Sequence, residues 1–128
     1  MAWYRCGGSS APSIVVDKLV SGQQIWDSST SSAVLVPIPN LANYQYIYVS
    51  VVEVNYANKT NYNSYLHNRG LWFKVSEITS GGLTCKIGYF WDSTDIIINV
   101  STNGVQCTQS YSNYNQFVDV IGSDSQLF

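Results

Sequence analysis

Few side chains in this 128-residue chain could do chemistry, and their spacing decides how far each could go. His67 is the only histidine and the natural candidate for proton transfer near neutral pH. It sits among Tyr, Asn and Ser with no carboxylate or nucleophile close in sequence, so it reads as a solvated loop histidine. Glu53 and Glu77 could form a carboxylate pair of the kind that glycoside hydrolysis needs. Both fall on strand-like segments, where a solvent-facing role is the simpler reading. Asp92-Ser93-Thr94-Asp95 could offer oxygens to a hard cation, yet two carboxylates in a turn more often cap strands, and no metal site is expected. Cys6, Cys85 and Cys107 are too widely spaced for a zinc pattern and too few for a disulfide framework. They read as reduced thiols, Cys85 and Cys107 serving as small hydrophobes, with a Cys85–Cys107 bridge as the alternative. No nucleophile elbow, glycine-rich phosphate cradle or HExxH helix occurs. A small hydrolase using Glu53, Glu77 or His67 is therefore the last-ranked reading, and neither an enzyme nor a cofactor is expected.

Composition narrows the classes further. Six basic and eight acidic residues leave a net charge of −2, and the basic residues are scattered, which excludes a phosphate-binding surface and so a nucleic-acid partner. With 45% hydrophobic and 14% aromatic residues the chain can bury enough surface to offset its ordering entropy, which argues against disorder. Polarity comes instead from 18 Ser, 11 Asn and seven Thr. No apolar run is long enough to span a bilayer, and the opening residues lack the apolar stretch of a signal peptide, so membrane insertion is not expected. The length suits one domain, residues 13–128, preceded by an extended arm of small residues, 1–12.

The elements that would position these residues are strands. Period-two alternation recurs, and no helical period persists beyond two turns. Residues 83–89 place Leu83, Cys85, Ile87 and Tyr89 on one face, and residues 71–76 place Leu71, Phe73 and Val75 inward. A hairpin with the loop Ser80-Gly81-Gly82 would pair Val75 with Ile87, Phe73 with Tyr89 and Leu71 with Trp91. Asn103-Gly104 predicts a second hairpin that pairs Val100 with Cys107 and Thr102 with Val105, putting Ile96, Ile98, Val100, Val105 and Cys107 on one face. Residues 46–54 are apolar at both parities, as a central strand covered on both sides would be. Residues 33–38 read as a strand confined to an edge by Pro37 and Pro39. With residues 13–20 and 117–121 the count reaches about eight short strands, which predicts an all-β antiparallel β-sandwich, jelly-roll-like in outline.

Two polar segments escape the strand pattern, 55–70 and 111–116. Tyr56, Tyr62, Tyr65, His67, Tyr111 and Tyr114 lie there among Asn and Ser. Tyr offers a flat face at low entropic cost and Asn both donates and accepts, so these loops are candidates for binding a glycan or a protein partner. Aromatics packed between subunits, or loops that only keep a low-charge surface wet, fit the same composition.

The opening Met1-Ala2-Trp3-Tyr4-Arg5-Cys6-Gly7-Gly8, followed by a polar linker and a short β domain, resembles small virion-associated proteins of bacteriophages and prophages. The block from Leu41 to Val49 resembles the segment that leads into the central strand of phage tail-fibre, baseplate or head accessory domains. Asn103-Gly104 and Phe117-Val118-Asp119-Val120-Ile121-Gly122 match their closing hairpin and last strand, with residues 123–128 appended. The resemblance implies a non-enzymatic structural or adhesive part of a virion, assembled in the host bacterial cytoplasm beside other virion proteins, as a homo-oligomer and often a trimer. It implies that Trp3, Tyr4 and Arg5 anchor the arm to the particle, with Gly7 and Gly8 as a joint. The alternative function is a host-attachment module whose tyrosine-rich loops bind a surface glycan.

Overall fold

The computed structural model describes residues 15–54, 70–89, 95–109 and 115–128. Eight strands form two antiparallel sheets: β1 (Val16–Asp27), β2 (Ser32–Ala33), β3 (Tyr46–Val54), β4 (Gly70–Lys74), β5 (Leu83–Tyr89), β6 (Asp95–Ser101), β7 (Gly104–Gln109) and β8 (Asn115–Ser123). One sheet has the order β2-β1-β8-β3-β4 and the other is the meander β5-β6-β7. The expected sandwich of about eight strands is the fold that forms. Among the described residues no helix is long and apolar enough to cross a membrane.

Alternation explains the core. Ile25, Ile47, Val49, Val51, Phe73, Val118 and Val120 come from the five-stranded sheet and meet Ile96, Ile98, Val100, Val105 and Cys107 from the three-stranded one. Val36, Ile38 and Ile78, from the connections, join the same cluster. The strand with apolar residues at both parities is β3, an interior strand: Ile47, Val49 and Val51 face the core, while Tyr48, Ser50 and Val52 are buried on the other face.

The hairpin expected between residues 71–76 and 83–91 does not form. Leu71 and Phe73 pair with Val49 and Ile47 of β3, while Cys85 pairs with Ile98 of β6, in the other sheet. Between them a 3-10 turn, Val75–Glu77, carries the chain from one layer to the other, and Val75 N–H donates to the Gln45 carbonyl at 2.9 Å. Alternation assigns a face and not a partner, so both pairings satisfy it equally. The discriminating signal is Ile78, an apolar residue that the expected hairpin would turn outward, away from the face of Leu71, Phe73 and Val75, and that is 7% exposed and packs in the core.

The second hairpin exists in a different register. Ser101 pairs with Gly104, Val100 with Val105 and Ile98 with Cys107, so the turn residues are Thr102-Asn103. The predicted common face holds, since Ile96, Ile98, Val100, Val105 and Cys107 are all fully buried. Gly104 serves a close approach instead of the turn. Val36 and Val105 exchange backbone hydrogen bonds of 2.9 and 2.8 Å, and a Cβ on Gly104 would lie 2.2 Å from the Val36 carbonyl oxygen.

The expected strand at 33–38 shrinks to Ser32–Ala33 plus the bridge between Val36 and Val105, at the sheet edge where two prolines should put it. The strand read at 13–20 runs on to Asp27 through polar residues, with register shifts against β8 at three places. A Cys85–Cys107 bridge is excluded. Both residues flank Ile98 in register on opposite sides of β6, which sets them about 10 Å apart, where disulfides need Cα atoms within about 7 Å. Both remain thiols, Cys107 Sγ donating to Gln116 Oε1 at 3.4 Å and Cys85 Sγ to the Leu83 carbonyl at 3.7 Å.

Two glycines test this account. Gly104 has φ +135° and no room for a side chain, whereas a Cβ on Gly81 would meet only Thr79 Oγ1 at 3.9 Å. Gly104→Ala should cost about 1–3 kcal/mol in urea denaturation, and Gly81→Ala should be close to neutral.

Candidate functional site

The residues that sequence reading singles out for binding, Tyr56, Tyr62, Tyr65, His67, Tyr111 and Tyr114, lie outside the described residues, as do the arm residues Trp3, Tyr4 and Arg5. Asp92 lies outside them too. Glu53 and Glu77 can be placed by their backbones. Glu53 pairs with Gln116 near one end of β3, and Glu77 follows β4 beyond Lys74, which pairs with Tyr46 at the other end. Seven residues of strand separate those ends, roughly 23 Å, far beyond the span of a glycosidase carboxylate pair. Among the described residues no group of three or more His, Cys, Asp or Glu could hold a metal ion.

What the fold does assemble is a layer on the outer face of the five-stranded sheet, away from the core. Register defines its rows. Trp72, Tyr48 and Ile121 lie side by side across β4, β3 and β8, with Lys18 of β1 at the end. The next row is Gly70, Ser50 and Asp119, and the one after it holds Val52 and Phe117 beside Gln24. Phe128, from the segment after β8, closes an aromatic triad. Its ring centroid lies 4.7 Å from Tyr48 and 5.3 Å from Trp72, edge-on to both, and Tyr48 and Trp72 are 5.2 Å apart. These tilted and edge-on arrangements suit the ring quadrupoles. Gly70 is required beneath them, because a Cβ there would come within 2.5 Å of the Tyr48 ring.

Polar atoms border this triad. Asp119 is 5% exposed and accepts one hydrogen bond, 3.0 Å, from the Gly22 backbone N–H. Burial raises its carboxyl above the ordinary value, and the Gly22 N–H and the Lys18 charge oppose that rise. Ser50 Oγ, opposite Asp119 in register, and the Trp72 indole N–H are buried without a hydrogen-bond partner among the described residues. Desolvation likewise raises the Tyr48 phenol. The polar atoms of the layer are therefore covered, and what it offers outward is the edge of its aromatic rings. Tyr48 is buried beneath the other two rings, Trp72 is half-buried and Phe128 is 65% exposed, so the triad meets solvent through Phe128 and part of Trp72.

Sequence reading passed over Trp72, Ser50, Asp119 and Phe128. The available signals were Trp72, an aromatic at the outward parity of an otherwise polar face, and the double parity of residues 46–54. A separate polar knot at the end of the sheet is structural: Asn115 Oδ1 accepts from Gln24 Nε2, the Ser28 N–H and Ser28 Oγ at 2.9–3.1 Å, tying the turn after β1 to β8.

Asp119 yields a pH prediction. Its folded-state pKa lies above the unfolded value, so the folded state binds the extra proton in the window between them, and its contribution to stability falls as pH rises through that window. Asp119→Asn keeps an acceptor for the Gly22 N–H and removes the buried charge. It should be more stable than the parent at about pH 7 and show a flatter profile down to about pH 4, by thermal denaturation; lower stability at neutral pH would refute the reading. No protein-family model and no characterised protein matches this chain in sequence comparison.

Proposed function

We propose that this chain is a non-enzymatic structural or accessory protein of a bacteriophage virion, attached through residues 1–12 and displaying its β-sandwich outward. The resemblance of the Met1–Gly8 string and of the closing hairpin and strand motivates the reading. One structural observation supports it best. The strand that receives the arm, β1, is laddered to β8 from Val16–Ser123 to Trp26–Gln116 and to β2 through Trp26 and Asp27. Tension on the arm would load many hydrogen bonds of that ladder together, as an anchored display domain requires. At the root of the arm the Val15 N–H reaches Asp124 Oδ1 at 3.4 Å, a further tie to the segment after β8. Assembly would take place in the host cytoplasm beside other virion proteins.

A second reading, a host-surface glycan module, draws on the exposed rings of Trp72 and Phe128, together with the loop residues Tyr56, Tyr62, Tyr65, His67, Tyr111 and Tyr114. Glycan-array binding that Trp72→Ala and the loop Tyr→Ala variants reduce would favour it, and silence across a broad array would remove it.

Deleting residues 1–12 should leave a domain that still folds, because both sheets and the core they enclose are built from residues 16–123, and should abolish incorporation into particles. Alanine at Trp3, Tyr4 or Arg5 should weaken incorporation in the same assay. Incorporation that survives the deletion would overturn the anchoring role.

A further inference from the structure

The segment after β8 does not continue the sheet. From Ser123, which pairs with Tyr46 and Val16, residues 124–128 turn back over the outer face until the Phe128 ring meets Tyr48 and Trp72, one row further along the strands. Little else holds this tail. All five of its residues are exposed, and its hydrogen bonds among the described residues lie at its root: Ser125 N–H donates to Ser123 Oγ at 3.2 Å and Val15 N–H to Asp124 Oδ1 at 3.4 Å. Beyond Ser125, the seat of the Phe128 ring is what places the tail.

That seat is a shaped one. Tyr48 and Trp72 are cross-strand partners whose rings incline at 53°, so each meets the Phe128 ring edge-on, at 70° and 62°. The Tyr48 ring can lie as it does because a Cβ on Gly70, which would come within 2.6 Å of its hydroxyl, is absent. We infer that residues 124–128 are a detachable strap, with Phe128 an intramolecular ligand of a Tyr48–Trp72 seat that takes an aromatic-ended peptide. The occupant is read from the structure itself, since a phenylalanine preceded by an aliphatic residue, Leu127, is what fills the seat. Magnitudes make it exchangeable. Two edge-on ring contacts on a side chain left 65% exposed correspond to a dissociation constant of about 1 mM. A short tether supplies an effective concentration of the same order, so the strap stands open for an appreciable fraction of the time and a like peptide can compete for its place. The inference depends on the described fold alone and can fail without touching the virion reading.

Titrating a blocked peptide of residues 123–128 into the full chain tests it, with the backbone amide signals of Tyr48 and Gly70 followed by NMR. Phe128→Ala should bind the peptide with a dissociation constant of about 1 mM. The parent chain should bind it about threefold or more weakly, because its own strap competes. The same peptide with alanine in place of Phe128 should bind neither chain. In the Phe128→Ala background, Trp72→Ala should abolish peptide binding and Trp72→Phe, which keeps a ring, should only weaken it. Far-UV circular dichroism establishes that the variants fold. Absence of saturable binding to Phe128→Ala up to about 10 mM peptide, equal affinity for parent and Phe128→Ala, or binding that survives Trp72→Ala would each overturn the inference. So would a seat that ignores the peptide and takes an oligosaccharide instead.

Discussion

The pairing of β8 with both β1 and β3 is the constraint on which the rest of the molecule depends. β8 lies at the centre of its sheet, with every residue but one of its nine buried. Its register with β3 runs without a break from Tyr46–Ser123 to Val54–Asn115. On one face it sends Val118 and Val120 into the core between the sheets, and on the other Phe117 and Asp119 into the outer layer. A one-residue slip would exchange those two sets and put a carboxylate in the apolar core, so a single register decides both the packing and the composition of the candidate site.

Three separate features follow from that placement. Asp119 can be reached by the Gly22 N–H because β1 deviates from regular pairing where it passes β8. Tyr48 can lie flat over Gly70 because β4 contributes no Cβ there. The core on the other side closes because residues 34–38 and Ile78 bridge the layers, with Val36 bonded to Val105 and Ile78 buried between the sheets. The connections are therefore part of the core. That explains why apolar residues in segments without strand alternation, such as Val36, Ile38 and Ile78, are as well buried as those within strands.

The low charge of the chain has a structural counterpart. The outer layer and the flank beside β1 are both built from aromatic, aliphatic and uncharged polar groups, apart from Asp119 and the neighbouring Lys18. Surfaces of this kind recognise partners through shape and desolvation instead of long-range steering. A protein assembled at high local concentration into a larger particle has little need of steering, which is consistent with the proposed role.

By itself, the sequence determined the fold class, the existence and approximate bounds of most strands, and the inward or outward direction of their side chains. Those properties follow from a period of two that any sheet must respect. It did not determine which strand pairs with which: the two alternating segments joined by residues 75–82 satisfy one hairpin on paper, yet they belong to opposite layers. Nor did it reveal the outer layer, whose members Tyr48, Trp72, Ser50, Asp119 and Phe128 are spread from β3 to the last residue and share no motif. Only the tertiary structure decided these, because strand pairing is a contest among distant segments settled by burying Ile78, Val36 and both faces of β8 together. Local pattern carries no information about that sum.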